Sequence, residues 1–103
     1  MRQDRKLRTL ETNADEAADF VRLLANKKRL LILCKLMACR EMSVGPLADA
    51  VGLSRSALSQ HLAKLRDTGL VKTRRKSQSI FDRLSQDVRV RQTTSLLKQL
   101  FCR

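Results

Sequence analysis

The sequence predicts a mainly α-helical domain with one small β-hairpin, on three observations. Apolar residues recur at helical spacing through most of residues 13–68 and again near the C-terminus. Gly52 and Gly69 each stand where a helical pattern stops. After Gly69 the period changes to short β-like runs, "LVKTRR" and "SIFDRL", separated by "KSQ", which together read as a hairpin.

Residues 1–12 carry no sustained apolar stripe and are expected to be a loosely ordered segment before a domain over 13–103. The first helix is expected in "NADEAADFVRLLAN". There Ala17, Phe20, Val21 and Leu24 fall on one face, with Asn13 as N-cap and Glu16 three residues on. "KKRLLILCKLMACR" is apolar on most sides and reads as a central, buried helix. Ser43 opens a short third helix, "VGPLADAVG", whose Pro46 sits in the first turn, where proline is tolerated. Pro46 also removes the acidic partner that a capping box with Ser43 would need. Ser54 caps a fourth helix running to about Thr68, with Gly69 as its stop. A last helix over about 86–101 carries Val88, Leu96, Leu97, Leu100 and Phe101. The order is helix, helix, helix, helix, hairpin, helix.

Length and charge narrow the function. A chain of 103 residues makes one small domain, for which folding together with a partner is an expected source of stability. The 43% hydrophobic content excludes a wholly disordered chain. The apolar stretches are interrupted by Lys and Arg before they reach a membrane span, and the N-terminus lacks the apolar core of a secretory signal, so a cytoplasmic location is expected. Net charge is +12 and unevenly spread. Residues 53–78 hold Arg55, Lys64, Arg66, Lys72, Arg74, Arg75 and Lys76 against Asp67 alone, the footprint of a polyanion partner. Charge by itself fits a solvated basic surface equally well. An anionic membrane fits less, for want of a broad apolar face.

The fourth helix separates these readings. Leu58, Leu62 and Leu65, with Ala57, form a core stripe, while Arg55, Ser56, Ser59, Gln60 and Lys64 lie away from it. Small and forked hydrogen-bonding side chains on one helix face suit base edges and phosphates in a major groove. The first turn, Ser54 to Ser56, offers backbone N–H groups to a phosphate. Arg74, Arg75, Lys76 and Gln78 at the hairpin can grip the neighbouring backbone or minor groove. Two short helices joined by "VGLS", the second followed by a basic hairpin, make a winged helix-turn-helix, and the expected partner is double-stranded DNA.

At these residues the chain resembles the ArsR-type winged-helix repressors of bacteria, through "ANKKRLLILCKL", "SVGPLADAVGLSRSALSQHLAKLRDTGLVKTRR" and "QSIFDRLS". The likeness covers roughly residues 15–102. It implies a homodimer on an inverted-repeat operator, with the first and last helices as the interface and an inducer that lowers operator affinity. The apolar residues offered to that interface are Phe20, Leu24, Leu97, Leu100 and Phe101. Asp82 stands where relatives commonly place an aromatic residue, which puts the packing of the wing in question.

The signal is read from cysteines. Family members that sense metals use Cys-x-Cys in the third helix or Asp/His pairs on the last, and neither set is present, so no metal or other cofactor is expected. His61, the one histidine, lies on the DNA-facing helix and is read as a structural or DNA-contacting residue. Cys34 and Cys102 resemble in position the pair of a subgroup that senses reactive sulfur, such as persulfides, or oxidants. The resemblance implies a di- or tetrasulfide link between the second and last helices. Considered alone, Cys34 reads better as a small core residue, and it is the second cysteine at the matching end of the last helix that favours sensing. Cys39, about 140° around the helix from Cys34, diverges from it and matches neither member of that pair. A metal-responsive or effector-independent repressor remains an alternative, and a nonspecific basic nucleoid protein a further one. No phosphate loop or paired Cys/His motif points to an enzyme.

Overall fold

The computed structural model describes residues 2–101. Six helices and three strands follow in the order α1 (Arg2–Thr12), α2 (Ala14–Leu24), α3 (Lys27–Cys39), β1 (Glu41–Ser43), α4 (Val44–Val51), α5 (Arg55–Asp67), β2 (Val71–Lys76), β3 (Ser79–Leu84) and α6 (Val88–Phe101). The three strands form one antiparallel sheet in the order β1-β3-β2. The core gathers Ile32, Leu33 and Leu36 of α3, Leu47 and Val51 of α4, and Leu58, Leu62 and Leu65 of α5. Leu70, Val71 and Val90 close it from the sheet and α6.

Helix ends explain much of the layout. Ser54 accepts a hydrogen bond from the Ala57 N–H at 3.1 Å, fixing the start of α5. At its other end Leu70 N–H donates to Leu65 C=O and Gly69 N–H to Arg66 C=O, a Schellman pair that needs the left-handed φ of +79° at Gly69. The same pairing, Leu53 to Ala48 and Gly52 to Asp49, ends α4 and sets the tight turn into α5. Asn26, rather than Asn13, acts as a cap: its side chain accepts from Arg29 N–H, while Asn13 makes no capping bond. Ser43, with Pro46 in place of a capping acid, makes none either.

Three expectations are corrected. Residues 2–12 are not loosely ordered but helical: the segment has no Gly or Pro and is built largely from good helix formers. The hairpin is joined by a third strand, β1, which at three residues is too short for an alternating pattern and exists through its pairing with β3. The last helix begins at Val88, because Ser85 and Asp87 are engaged in the turn before it.

The doubt over Asp82 resolves into an ion pair. Asp82 is fully buried, and Arg66 of α5 donates to its Oδ1 from Nε at 3.0 Å and from a terminal nitrogen at 2.7 Å. α5, the expected recognition helix, and the wing are thus tied by charge rather than by an aromatic side chain.

Candidate functional site

On α5 the leucine stripe is buried to completion, and the opposite face is open. Ser56, Ser59, Gln60 and Lys64 are exposed there, next to Ser54 and Arg55 in the first turn. The Arg55 guanidinium lies close over Gly45 of α4, so small that a methyl group there would meet it at 2.8 Å. Arg55 therefore spans from the recognition helix to the start of its supporting helix.

His61 is half-buried and bound inward. Arg29 of α3, itself buried, donates toward His61 Nδ1 at 3.3 Å and to the Leu23 carbonyl. Arginine can only donate, so Nδ1 accepts and the ring proton of the neutral form sits on Nε2. Burial, then the Arg29 and Lys64 charges, hold His61 below the ordinary histidine value. His61 is a strut between α3 and α5.

In the wing, Arg75, Lys76 and Gln78 are exposed around the turn at Ser77 and Gln78, where Ser77 takes a positive φ. Arg74 does not join them. It stacks over Phe81 at 5.7 Å and forks onto Glu41 of β1, with Nε to Oε2 at 3.0 Å and a second bond to Oε1. That hydrogen-bonded guanidinium keeps the Glu41 carboxyl below its ordinary range. Arg74 is a brace across the sheet, and its charge is answered within the molecule. Sequence reasoning missed Glu41 because β1 itself was not foreseen.

Cys34 is exposed rather than in the core. It lines an apolar groove of about 600 Å³ between α3 and α6, with Leu30, Leu31, Met37, Leu97 and Phe101. Cys102 lies outside the described residues. Cys39 is also exposed but faces a different concavity, as the helical angle between the two cysteines requires. Of the apolar residues expected at a dimer interface, Phe20 and Leu24 are half-buried against the core. Leu97 is half-buried too, and Leu100 and Phe101 are exposed. Val21, Val88 and Leu96, exposed on α2 and α6, join these two on the outer surface.

Residues 26–73, from the cap of α3 to the middle of β2, match the family described as bacterial regulatory protein, arsR family. The transcriptional activator HlyU of Vibrio cholerae is 45% identical over 96 residues, covering 93% of this chain and 87% of that protein. The chain belongs to the ArsR family. A solved structure of reduced HlyU superposes with a TM-score of 0.80 at 44% identity, covering 92% of this chain and 98% of that one. A second relative, the biofilm growth-associated repressor of Xylella fastidiosa, is 37% identical over 93 residues, 90% of this chain and 80% of that protein. A homodimeric winged helix-turn-helix DNA-binding domain from Mycobacterium bovis, described as a possible ArsR-family regulator, matches at TM-score 0.75 and 28% identity, covering 88% and 82% of the two chains. The chain is accordingly a DNA-binding transcriptional regulator with a winged helix-turn-helix. No helix among its described residues is long and apolar enough to cross a membrane.

Proposed function

We propose that this ArsR-family regulator is a cytoplasmic, homodimeric repressor of an inverted-repeat operator, released when reactive sulfur or an oxidant bridges Cys34 and Cys102. The observation that carries the sensing half is the groove: Cys34 is exposed in it, Phe101 lines it, and Cys102 is the next residue along the chain. One solved structure of the related HlyU is of its reduced form, which supports looking for redox chemistry in this chain. The repressor half draws on the likeness to the Xylella repressor.

A bridge would tie α3, which supports the helix-turn-helix, to α6, which bears the exposed apolar face. Bistable dimers need a differential of only a few kcal/mol to change occupancy by orders of magnitude. Ser56, Ser59 and Gln60 would read base edges, with Arg75, Lys76 and Gln78 on the flanking backbone.

The test is operator release. Cys34→Ser and Cys102→Ser should each bind operator when reduced and fail to release it after persulfide treatment, while Cys39→Ser responds as the unaltered protein does. Release by Cys102→Ser, with no crosslink in its mass spectrum, would overturn the two-cysteine switch.

A further inference from the structure

Arg29 of α3 is buried, at 9% exposure, yet no carboxylate among the described residues pairs with it. The groove it lines between α2 and α5 also holds Asp19, Arg22, Lys64 and Asp67, and Asp19 is taken by Arg22 at 2.8 Å. Desolvating a guanidinium is costly unless its donors are met. Here Nε donates to the Leu23 carbonyl in the last turn of α2, where the helix dipole places partial negative charge. A terminal nitrogen donates to His61 Nδ1 at 3.3 Å. The guanidinium is thus held from α2 and in turn holds the imidazole of α5.

That ring has a second nitrogen. With Nδ1 accepting, the proton of the neutral form is on Nε2. Burial, and then the charges of Arg29 and Lys64, favour the neutral form. Nε2 has no partner among the described residues, and their one buried, unpartnered side-chain polar atom is Asp82 Oδ2, so Nε2 reaches the surface. His61 precedes Lys64 by three residues, about 60° around α5, at the edge of the open face that carries Gln60 and Lys64. One N–H of fixed tautomer is offered there.

We propose that Arg29 is a positioning residue for DNA recognition, holding His61 so that Nε2–H donates to an acceptor on the bound DNA. Arg29 is buried and acts only through the imidazole. The acceptor is a base edge or a phosphate oxygen, both of which take an N–H. The inference rests on the reading of α5 as the helix that enters the groove.

The chain has one histidine, so the full-length protein isotope-labelled at its histidine nitrogens gives the signals of a single ring. The probes are a duplex selected from random sequences by the unaltered protein, and an unselected duplex. Without DNA, Nδ1 should show the chemical shift of an unprotonated acceptor and Nε2 that of a protonated nitrogen. The selected duplex should move the Nε2–H signal and slow its exchange with water, while Nδ1 stays unprotonated. In binding, His61→Phe and Arg29→Met should each lose about fivefold on the selected duplex, the size of one neutral hydrogen bond. The double variant should lose no more than the larger single loss. A loss confined to the selected duplex assigns the acceptor to a base edge, and equal losses on both duplexes assign it to phosphate. An Nε2–H signal that the selected duplex leaves unmoved would overturn the proposal and leave the pair a strut alone; losses that add in the double variant would overturn it too. The ring signals are read on the unaltered protein, so they decide the matter even where Arg29→Met does not fold. Gln60→Ala tests the reading of α5 separately. If it binds the selected duplex as the unaltered chain does, α5 does not read bases; if it loses that duplex while His61→Phe does not, only the role of Arg29 fails.

Discussion

Asp82 shows how one side chain can replace a hydrophobic contact with an electrostatic one. Its carboxylate is wholly buried, one oxygen takes both hydrogen bonds from Arg66, and the other has no protein partner among the described residues. A buried charge is tolerated while its counter-ion stays in place, and removing that counter-ion leaves a desolvated carboxylate. Arg66→Ala should therefore destabilise the fold by about 2 kcal/mol. That lies below the figure for a fully buried pair because the Arg66 side chain is 35% exposed. Arg66→Ala combined with Asp82→Leu should recover most of the loss, since the leucine removes the charge that lost its partner. Urea unfolding of the three proteins checks this, and a double variant less stable than Arg66→Ala would refute it. The sequence made Asp82 visible as a departure from its relatives but could not reveal its partner, sixteen residues away on another element. Ser54 and Gly69 were legible because capping and left-handed stops are local. Cys34 was not, since its place in an apolar run says nothing about which side of the helix α6 leaves open.

Elements divide the labour that charge counting assigns to residues indiscriminately. The basic run at 72–76 looked like one DNA-gripping unit, yet strand alternation places Arg74 opposite Phe81, where it reaches Glu41. The chain could not disclose this, because three residues of β1 acquire their structure from β3 and not from their own propensity. The leucine stripe and the open face of α5, by contrast, follow from 3.6-residue periodicity and came through intact. This division predicts distinct behaviour in salt titrations. Arg75→Ala and Lys76→Ala should weaken operator and random DNA alike and each lower the salt slope by about one. Gln60→Ala should cost about 1–3 kcal/mol on operator and far less on random DNA. Arg74→Ala should leave the slope nearly unchanged while lowering the melting temperature. A slope that drops by a full unit for Arg74→Ala would mean that its contact with Glu41 gives way to DNA.

At the scale of the molecule, several large apolar side chains stand bare on the outer surface. Val88, Leu96 and Leu100 of α6 are each more than half exposed, Phe101 is 76% exposed, and Val21 of α2 is exposed as well. Apolar surface of this kind marks an association face, and the Mycobacterium bovis relative is a homodimer. A stable interface buries about 800 Å² on each partner. Pairing about a two-fold axis would set two α5 helices roughly 34 Å apart, one turn of DNA. Each α5 would then read one half-site, and the second contact would form at the high effective concentration that linkage confers, worth about 100-fold or more in affinity. Leu96→Lys with Leu100→Lys places two charges on that face without touching the core, which neither residue enters. Sedimentation should show this double variant as a monomer where the unaltered chain is a dimer. Its affinity for a two-half-site operator should fall about 100-fold or more, while its affinity for a single half-site stays nearly the same. A double variant that still sediments as a dimer would move the interface off α6. Equal losses on one and two half-sites would mean that the substitutions damage the DNA-binding domain itself rather than its pairing.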